Sequence, residues 1–356
     1  MAVTEKPSFF DLTLADLKTR LAGWNWPVFR AGQVFDWVYA KGISDPAQMT
    51  NLATGARERL ATEVDFSLPD IVRRQSSSDG TEKLLVGWPD GATAETVMIP
   101  DADRRTACLS SQVGCPAGCR FCASGIGGLK QNLTPGRIVQ QVYLLNRLLA
   151  PKHDHISNLV FMGMGEPLSN YNNVLQAVRV LHDPAGFNIG ARRITISTVG
   201  VPRKMRELAG EDLQLNLAIS LHAPNESLRR ELIPWAEHFA LPDILEAARY
   251  YFERTGREIT LEYILLAGVN DQAHHARELA ELCRTLRCNV NLIRYNEVAE
   301  LPFSRPHAND VIQFLQILRA CGVNAHVRKS RGRDIDAACG QLRRKADSAK
   351  SLPVVQ

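Results

Sequence analysis

At 356 residues, with 45% hydrophobic and 22% charged residues, the chain has the composition of an ordinary globular protein and the length of about two domains, or of one barrel with an appendage. This excludes a disordered or fibrous chain; no run approaches the roughly 20 apolar residues that cross a bilayer, and the opening segment lacks the apolar stretch of a signal peptide, so no membrane association and a cytoplasmic location are expected. The net charge of +4 is too small to establish nucleic-acid binding, and eight cysteines in a reducing compartment point to metal or redox chemistry before a disulfide scaffold.

From Thr13 to Glu63 apolar residues recur at helical spacing, as in Leu14, Leu17 and Leu21 and again in Val34, Phe35 and Val38, which predicts a small helical domain over 1–66. Between Pro69 and Pro100 the pattern changes to β-rich runs, LLVGW and ETVMIP, joined by Pro89-Asp90-Gly91; this predicts a β-hairpin over 67–100 that bridges two domains. After a cysteine-rich loop, apolar runs alternate with amphipathic helices: NLVFMG from Asn158, RITIST from Arg193, LNLAIS from Leu215, ITLEYILL from Ile259, NVNLI from Asn289 and NAHVR from Asn324. Six such units predict an α/β fold, a partial (βα)6 TIM-like barrel open on one side, over 101–344, with its chemistry at the C-terminal ends of the strands. Arg328 to Lys350 holds eight basic residues against three acids, readable as an RNA contact or as a solvated tail, and 345–356 is read as a flexible tail.

The segment CPAGCRFC places Cys115, Cys119 and Cys122 in a C-x3-C-x2-C loop, with Pro116, Gly118 and Gly125 allowing the backbone to wrap closely around an ion or cluster. A structural zinc site wants a fourth ligand, and no second cysteine knuckle follows. Three thiolates suit a [4Fe-4S] cluster whose open iron can bind the amino and carboxylate groups of a substrate and pass an electron to its sulfonium. Glu166, in Gly163-Met164-Gly165-Glu166-Pro167 after an apolar strand, can accept bonds from an ammonium group. Taken alone, His222 is a packed polar residue, Cys339 and Cys108 are buried thiols, and Glu95 is a hairpin glutamate.

In order, CLSSQVGCPAGCRFC, VFMGMGEPL, ARRITISTVG, LNLAISLHAPN, NLIRYN and RGRDIDAACGQLR resemble the radical S-adenosylmethionine (SAM) rRNA adenine methyltransferases, the RlmN and Cfr family, from about Leu14 to Arg344. The resemblance implies that Cys115, Cys119 and Cys122 hold one [4Fe-4S] cluster, that Gly165 and Glu166 contact the methionine end of SAM, and that Ser197, Ser220, Leu221, His222 and Asn296 contact the remainder. It also implies two SAM per turnover. Cys339 takes a methyl group from the first, and a radical made from the second removes hydrogen from that S-methyl group, a detour required because C2 of adenine is electron-poor and cannot attack a sulfonium methyl. Cys108 matches the thiol that resolves the resulting adduct through a transient disulfide bond with Cys339, and Glu95 matches the proton acceptor. Cys283, Cys288 and Cys321 match no motif and are expected to be structural.

The implied substrate is an adenosine of 23S rRNA at the peptidyl transferase centre, methylated at C2, with a tRNA adenosine near the anticodon as a second target and a flavodoxin-type electron donor. A monomer is expected. Methylation at C8 by the same residues, which confers antibiotic resistance, is the alternative. Lys130, Arg192 and Arg193 are candidate phosphate contacts. Gln131, Arg294 and Glu297 depart from residues usual in the family, which bears on substrate choice and leaves the radical chemistry untouched.

Overall fold

The computed structural model describes residues 6–342; the tail expected over 345–356 and the basic residues Arg343, Arg344, Lys345 and Lys350 lie outside the described residues. Helix α1, Leu14–Gly23, opens on a capping box: the Thr13 hydroxyl accepts from Asp16 N and the Asp16 carboxylate accepts from Thr13 N. Helix α2, Arg30–Phe35, runs into a wider turn over Asp36–Ala40, and α3 spans Thr54–Glu63. Leu17, Leu21, Val34, Phe35 and Val38, which carry the helical period, are all fully buried, together with Phe9 and Phe10.

A meander follows, in which β1, Asp70–Ser76, β2, Glu82–Gly87, β3, Thr93–Asp101, and β4, Arg104–Cys108, pair antiparallel. The expected hairpin is β2 and β3, and it is part of a larger sheet. Two short strands, β5 (Gln112–Val113) and β6 (Gln131–Asn132), pair antiparallel and pinch the base of the cysteine loop. Helices and strands then alternate: α4 (Pro135–Leu149), β7 (Asn158–Phe161), α5 (Tyr171–His182), β8 (Ile194–Thr198), α6 (Pro202–Ala209), β9 (Asn216–Ser220), α7 (Glu226–Leu232), α8 (Leu241–Thr255), β10 (Ile259–Leu265), α9 (Ala273–Arg284), β11 (Cys288–Arg294), α10 (Ala308–Ala320) and β12 (Ala325–Val327).

All ten long strands form one open sheet in the order β1-β2-β3-β4-β7-β8-β9-β10-β11-β12, parallel from β4 onward. The parallel run therefore has seven strands among the described residues, because β4, ahead of the cysteine loop, pairs with β7. The chain beyond β12 crosses back to the far edge of the sheet. Gly332 N donates to Asp79 Oδ2 at 3.0 Å, Asp334 accepts from Ser77 Oγ at 2.6 Å and Ser78 N at 3.1 Å, and Lys83 Nζ donates to the Asp336 carbonyl at 3.0 Å. An arm rather than an eighth strand thus spans the opening. No helix among the described residues is long and apolar enough to cross a membrane.

Candidate active site

Side chains alternate across a strand, so one face of the parallel run points inward. Thr106 and Cys108 of β4, Thr260 and Glu262 of β10, and Asn291 and Ile293 of β11 line a cavity of about 720 Å³, which extends to the N-terminal ends of the strands and a rim carrying Arg104, Arg192, Arg193, Lys329 and Arg331. A second cavity, of about 130 Å³, lies at the C-terminal strand ends against the cysteine loop. Met162, Glu262, Ile293, Arg328 and Cys339 line both.

Cys115, Cys119 and Cys122 line the smaller cavity and are partly exposed to it. Gly125 lets the loop close, since a Cβ there would meet the backbone of Gly118 and Cys119 at 3.2 Å. Burial raises all three thiols, Cys115 to about 12, while the amides of Ala117 and Gly118 bond to Cys115 and those of Ser124 and Gly125 to Cys122. Such N–H donors favour the thiolates that a metal cluster requires. Among the described residues no three His, Cys, Asp or Glu side chains form a ready-made site for a single ion.

Glu166 is 2% exposed; Oε1 accepts from Leu168 N at 2.9 Å and Oε2 from Val199 N at 2.8 Å. Burial outweighs those bonds and pushes its pKa up to about 7. Gly165 beside it has φ +109°, and a Cβ would lie 2.7 Å from Ser111 Oγ, so glycine is required there. Ser197 Oγ and Ser220 Oγ are 3.3 Å apart on the cavity wall. His222 sits at φ +57°, a left-handed conformation costly for histidine, held by Asn270 Nδ2 donating to its carbonyl at 2.8 Å. Its Nδ1 accepts from Ile264 N at 3.0 Å, which leaves the proton on Nε2, and burial pushes its pKa down to about 3.

Not every expected SAM contact lines that cavity. Leu221 is fully buried and lines neither, with its N–H on the Glu262 carbonyl at 3.1 Å; Asn296 lines the larger one, where Nδ2 donates to the Cys339 carbonyl at 3.3 Å. Glu95 also lines neither cavity and pairs with Lys83 Nζ at 3.0 Å, both buried. Cys108 lies on β4 in the larger cavity, its thiol pushed up to about 12 by burial and by Cys339, with Arg328 opposing. All eight cysteines are free. Cys283, Cys288, Cys321 and Lys130 line neither cavity.

Two functional candidates escaped sequence reasoning. Glu262, an acid in the apolar strand ITLEYILL, is buried between Asn291 Nδ2 at 3.0 Å and Arg328 Nη1 at 3.2 Å; a lone charge in such a run was the available signal. Arg328, grouped by sequence with a basic tail, is instead at the junction of the cavities, and Cys339 and Glu262 hold its guanidinium well above the usual range.

The Radical SAM superfamily profile matches residues 109–283, and the profile for the ribosomal RNA large subunit methyltransferase N-terminal domain matches residues 8–65. Proteins of Bacillus cytotoxicus and Bacillus thuringiensis, each named probable dual-specificity RNA methyltransferase RlmN, are 46% identical over 342 residues, covering 96% of this chain and 94% of theirs. The crystal structure of a radical SAM methyltransferase from Sphaerobacter thermophilus superposes with a TM-score of 0.91 at 46% identity, over 95% of this chain and 99% of that one. Identity of 46% over 96% of the chain, with both profiles matched and the fold shared, means that this protein belongs to the RlmN-type radical SAM RNA methyltransferases.

Proposed function

We propose that the protein methylates C2 of an adenosine in 23S rRNA, and of a tRNA adenosine, by way of an S-methyl group on Cys339, with two SAM per turnover. One observation carries the reading: Cys339 lines both cavities, and Cys108 lines the larger. A thiol at that junction can accept a methyl group from one side and deliver it to a base on the other. The name of the Bacillus relatives supports C2-type chemistry over the C8 alternative, and its dual specificity supports a second RNA substrate.

Cys115, Cys119 and Cys122 would hold the [4Fe-4S] cluster, which with SAM supplies one-electron cleavage and hydrogen-atom abstraction. Glu166 offers its carboxylate to the amino group of SAM, and the Nε2–H of neutral His222 remains free to donate. Cys339, as thiolate, attacks the sulfonium methyl carbon: its S–CH3 bond forms as the S–CH3 bond of SAM breaks, and the neutral thioether S-adenosylhomocysteine leaves. Arg328 keeps its positive charge beside both thiols and lowers the cost of the Cys108 thiolate. Once a methylene bridges Cys339 to the base and the adduct has given up one electron and the C2 proton, the Cys108 thiolate attacks the Cys339 sulfur. The S–S bond forms as the S–CH2 bond breaks, the electron pair left on carbon takes a proton to complete the methyl group, and a dithiol reductant then reopens the disulfide. Glu95, held against Lys83 and lining neither cavity, accepts the C2 proton in this reading through a relay and not by direct contact with the base. The larger cavity takes an unstacked adenine, and the basic rim at Arg192, Arg193 and Lys329 takes the flanking phosphates.

Rescue of a host lacking the gene tests this by chromatography and mass spectrometry of digested 23S rRNA and tRNA. The expected product is 2-methyladenosine, and 8-methyladenosine would overturn the regiochemistry. Cys339→Ala is expected to cleave SAM and leave RNA unmethylated, whereas Cys108→Ala accumulates a nuclease-sensitive protein–RNA band on a denaturing gel. Normal turnover by either variant removes that cysteine from the mechanism.

A further inference from the structure

Helix α7 carries Arg229, which is 1% exposed and forms no ion pair among the described residues. Its Nη2 donates to the Val199 carbonyl, while Nε and Nη1 have no acceptor. Glu226, one turn earlier, is engaged elsewhere: Oε1 accepts from Arg230 Nε at 3.0 Å and Oε2 from Leu241 N at 2.7 Å. A buried guanidinium with most of its donors idle is a large uncompensated desolvation cost, and buried charges normally persist only when an anion completes them. The helix that holds it is tied to the cysteine loop. Ile233 N bonds to the Arg229 carbonyl at 2.8 Å, and Arg120 N, beside Cys119, bonds to the Leu232 carbonyl at 2.9 Å. Ala117, Phe121, Val199 and Leu232 form the apolar cluster against which Cys115, Cys119 and Cys122 pack.

We propose that Arg229 is the buried counter-charge for the metal–sulfur group of the cysteine loop, a positioning residue whose idle Nε and Nη1 donors are completed when Cys115, Cys119 and Cys122 are loaded. The inference rests on the cluster reading above. It also explains why the guanidinium holds Val199 on one side: the N–H of Val199 is bonded to Glu166, so one residue links the cation to the carboxylate assigned to SAM.

An arginine kept for the fold and one kept for the cluster respond oppositely to substitution. Removing an unpaired buried cation from the metal-free protein relieves desolvation and leaves stability unchanged or higher. In the loaded protein the same change removes a positive charge beside a net-negative group, which disfavours its reduced form and loosens its hold.

The experiment compares wild type, Arg229→Met and Arg229→Lys, each measured metal-free by calorimetry and after anaerobic reconstitution by iron and sulfide content, loss of the visible absorbance under a chelator, and a redox titration. The expected result for Arg229→Met is an equal or higher metal-free Tm, cluster loss faster by roughly tenfold, and a midpoint potential shifted negative. Arg229→Lys, which keeps the charge and loses the planar fork, should fall between, and it decides the matter if the methionine variant does not fold. A metal-free Tm lowered by several degrees in both variants, or cluster retention and potential equal to wild type in both, overturns the inference. Wild-type protein that takes up no iron overturns the cluster reading, and this inference with it.

Discussion

Burial sets Glu166 apart from an ordinary carboxylate, and the consequence has a definite sign. Its pKa in the folded protein is about 7 against 4.5 for an unperturbed glutamate, so the folded state holds the proton more tightly than the unfolded chain. The contribution of this group to stability is complete below pH 4.5, falls as the pH rises, and is lost by about pH 7. Glu166→Gln should abolish that slope, which chemical denaturation of metal-free protein at pH 5 and pH 8 would measure; equal slopes in variant and wild type would show that another group is responsible. Binding of an ammonium group needs the ionised form, so SAM affinity should rise through pH 7 and release protons, detectable by calorimetry in two buffers. The position of Glu166 was readable because a strand pattern and a Gly-rich turn precede it. The left-handed backbone of His222 and the Glu262–Arg328 pair were not: the first depends on Asn270, 48 residues away, and the second on a contact across 66 residues.

At the level of elements, the strands that read clearly are buried ones such as β8 and β10, whose apolar residues recur at alternate positions in ITIST and ITLEYIL and carry the signal. Strand β1 lies at the sheet edge with nearly every residue exposed, including Ile71 and Val72, and its Arg73-Arg74 pair suits an edge better than it suits any pattern search. Strand β4 offers only five residues beginning Arg-Arg. The arm from Gly332 to Leu342 has no periodicity at all; its conformation comes from clamps. Asp334 and Asp79 fix one end, and at the other Ala123 N bonds to the Gly340 carbonyl at 2.8 Å and Ser124 Oγ to the Leu342 carbonyl at 2.6 Å. Cys339 lies between them. Asp334→Ala should therefore loosen the arm with little change in Tm and slow RNA methylation by roughly tenfold or more, since small misplacements of reacting groups are costly. Faster deuterium uptake over residues 331–342 should accompany the loss. Slowed methylation with wild-type exchange would refute the clamp.

Across the whole molecule, the helical region and the barrel share one core that local patterns could not reveal. Phe10 meets Tyr143 of α4 edge to face at 5.3 Å, the Tyr143 hydroxyl donates to the Gly42 carbonyl at 2.6 Å, and Gln176 of α5 donates to the Asp11 carbonyl at 2.6 Å. At the start of α4, Gly136 N donates to Asp11 Oδ1 at 2.6 Å. A Cβ at residue 136 would lie 2.8 Å from that oxygen and 2.9 Å from the Asp11 backbone nitrogen. Gly136→Ala thus sets two effects against each other. Helix propensity favours alanine by at most about 1 kcal/mol, whereas forcing a methyl against backbone costs about 1–3 kcal/mol and also displaces a charge-assisted bond at a helix N-terminus. The clash should win, with Tm lower by about 1–4 °C in a protein of this size. Because the displaced region is the helical one, RNA affinity should weaken while SAM binding is kept. Asp11→Ala removes the obstructing carboxylate but leaves its backbone nitrogen, so the double variant should recover only part of the stability lost on adding the two single changes. Full additivity would show that Gly136 and Asp11 act independently, and that the helical region is not held to the barrel at this point.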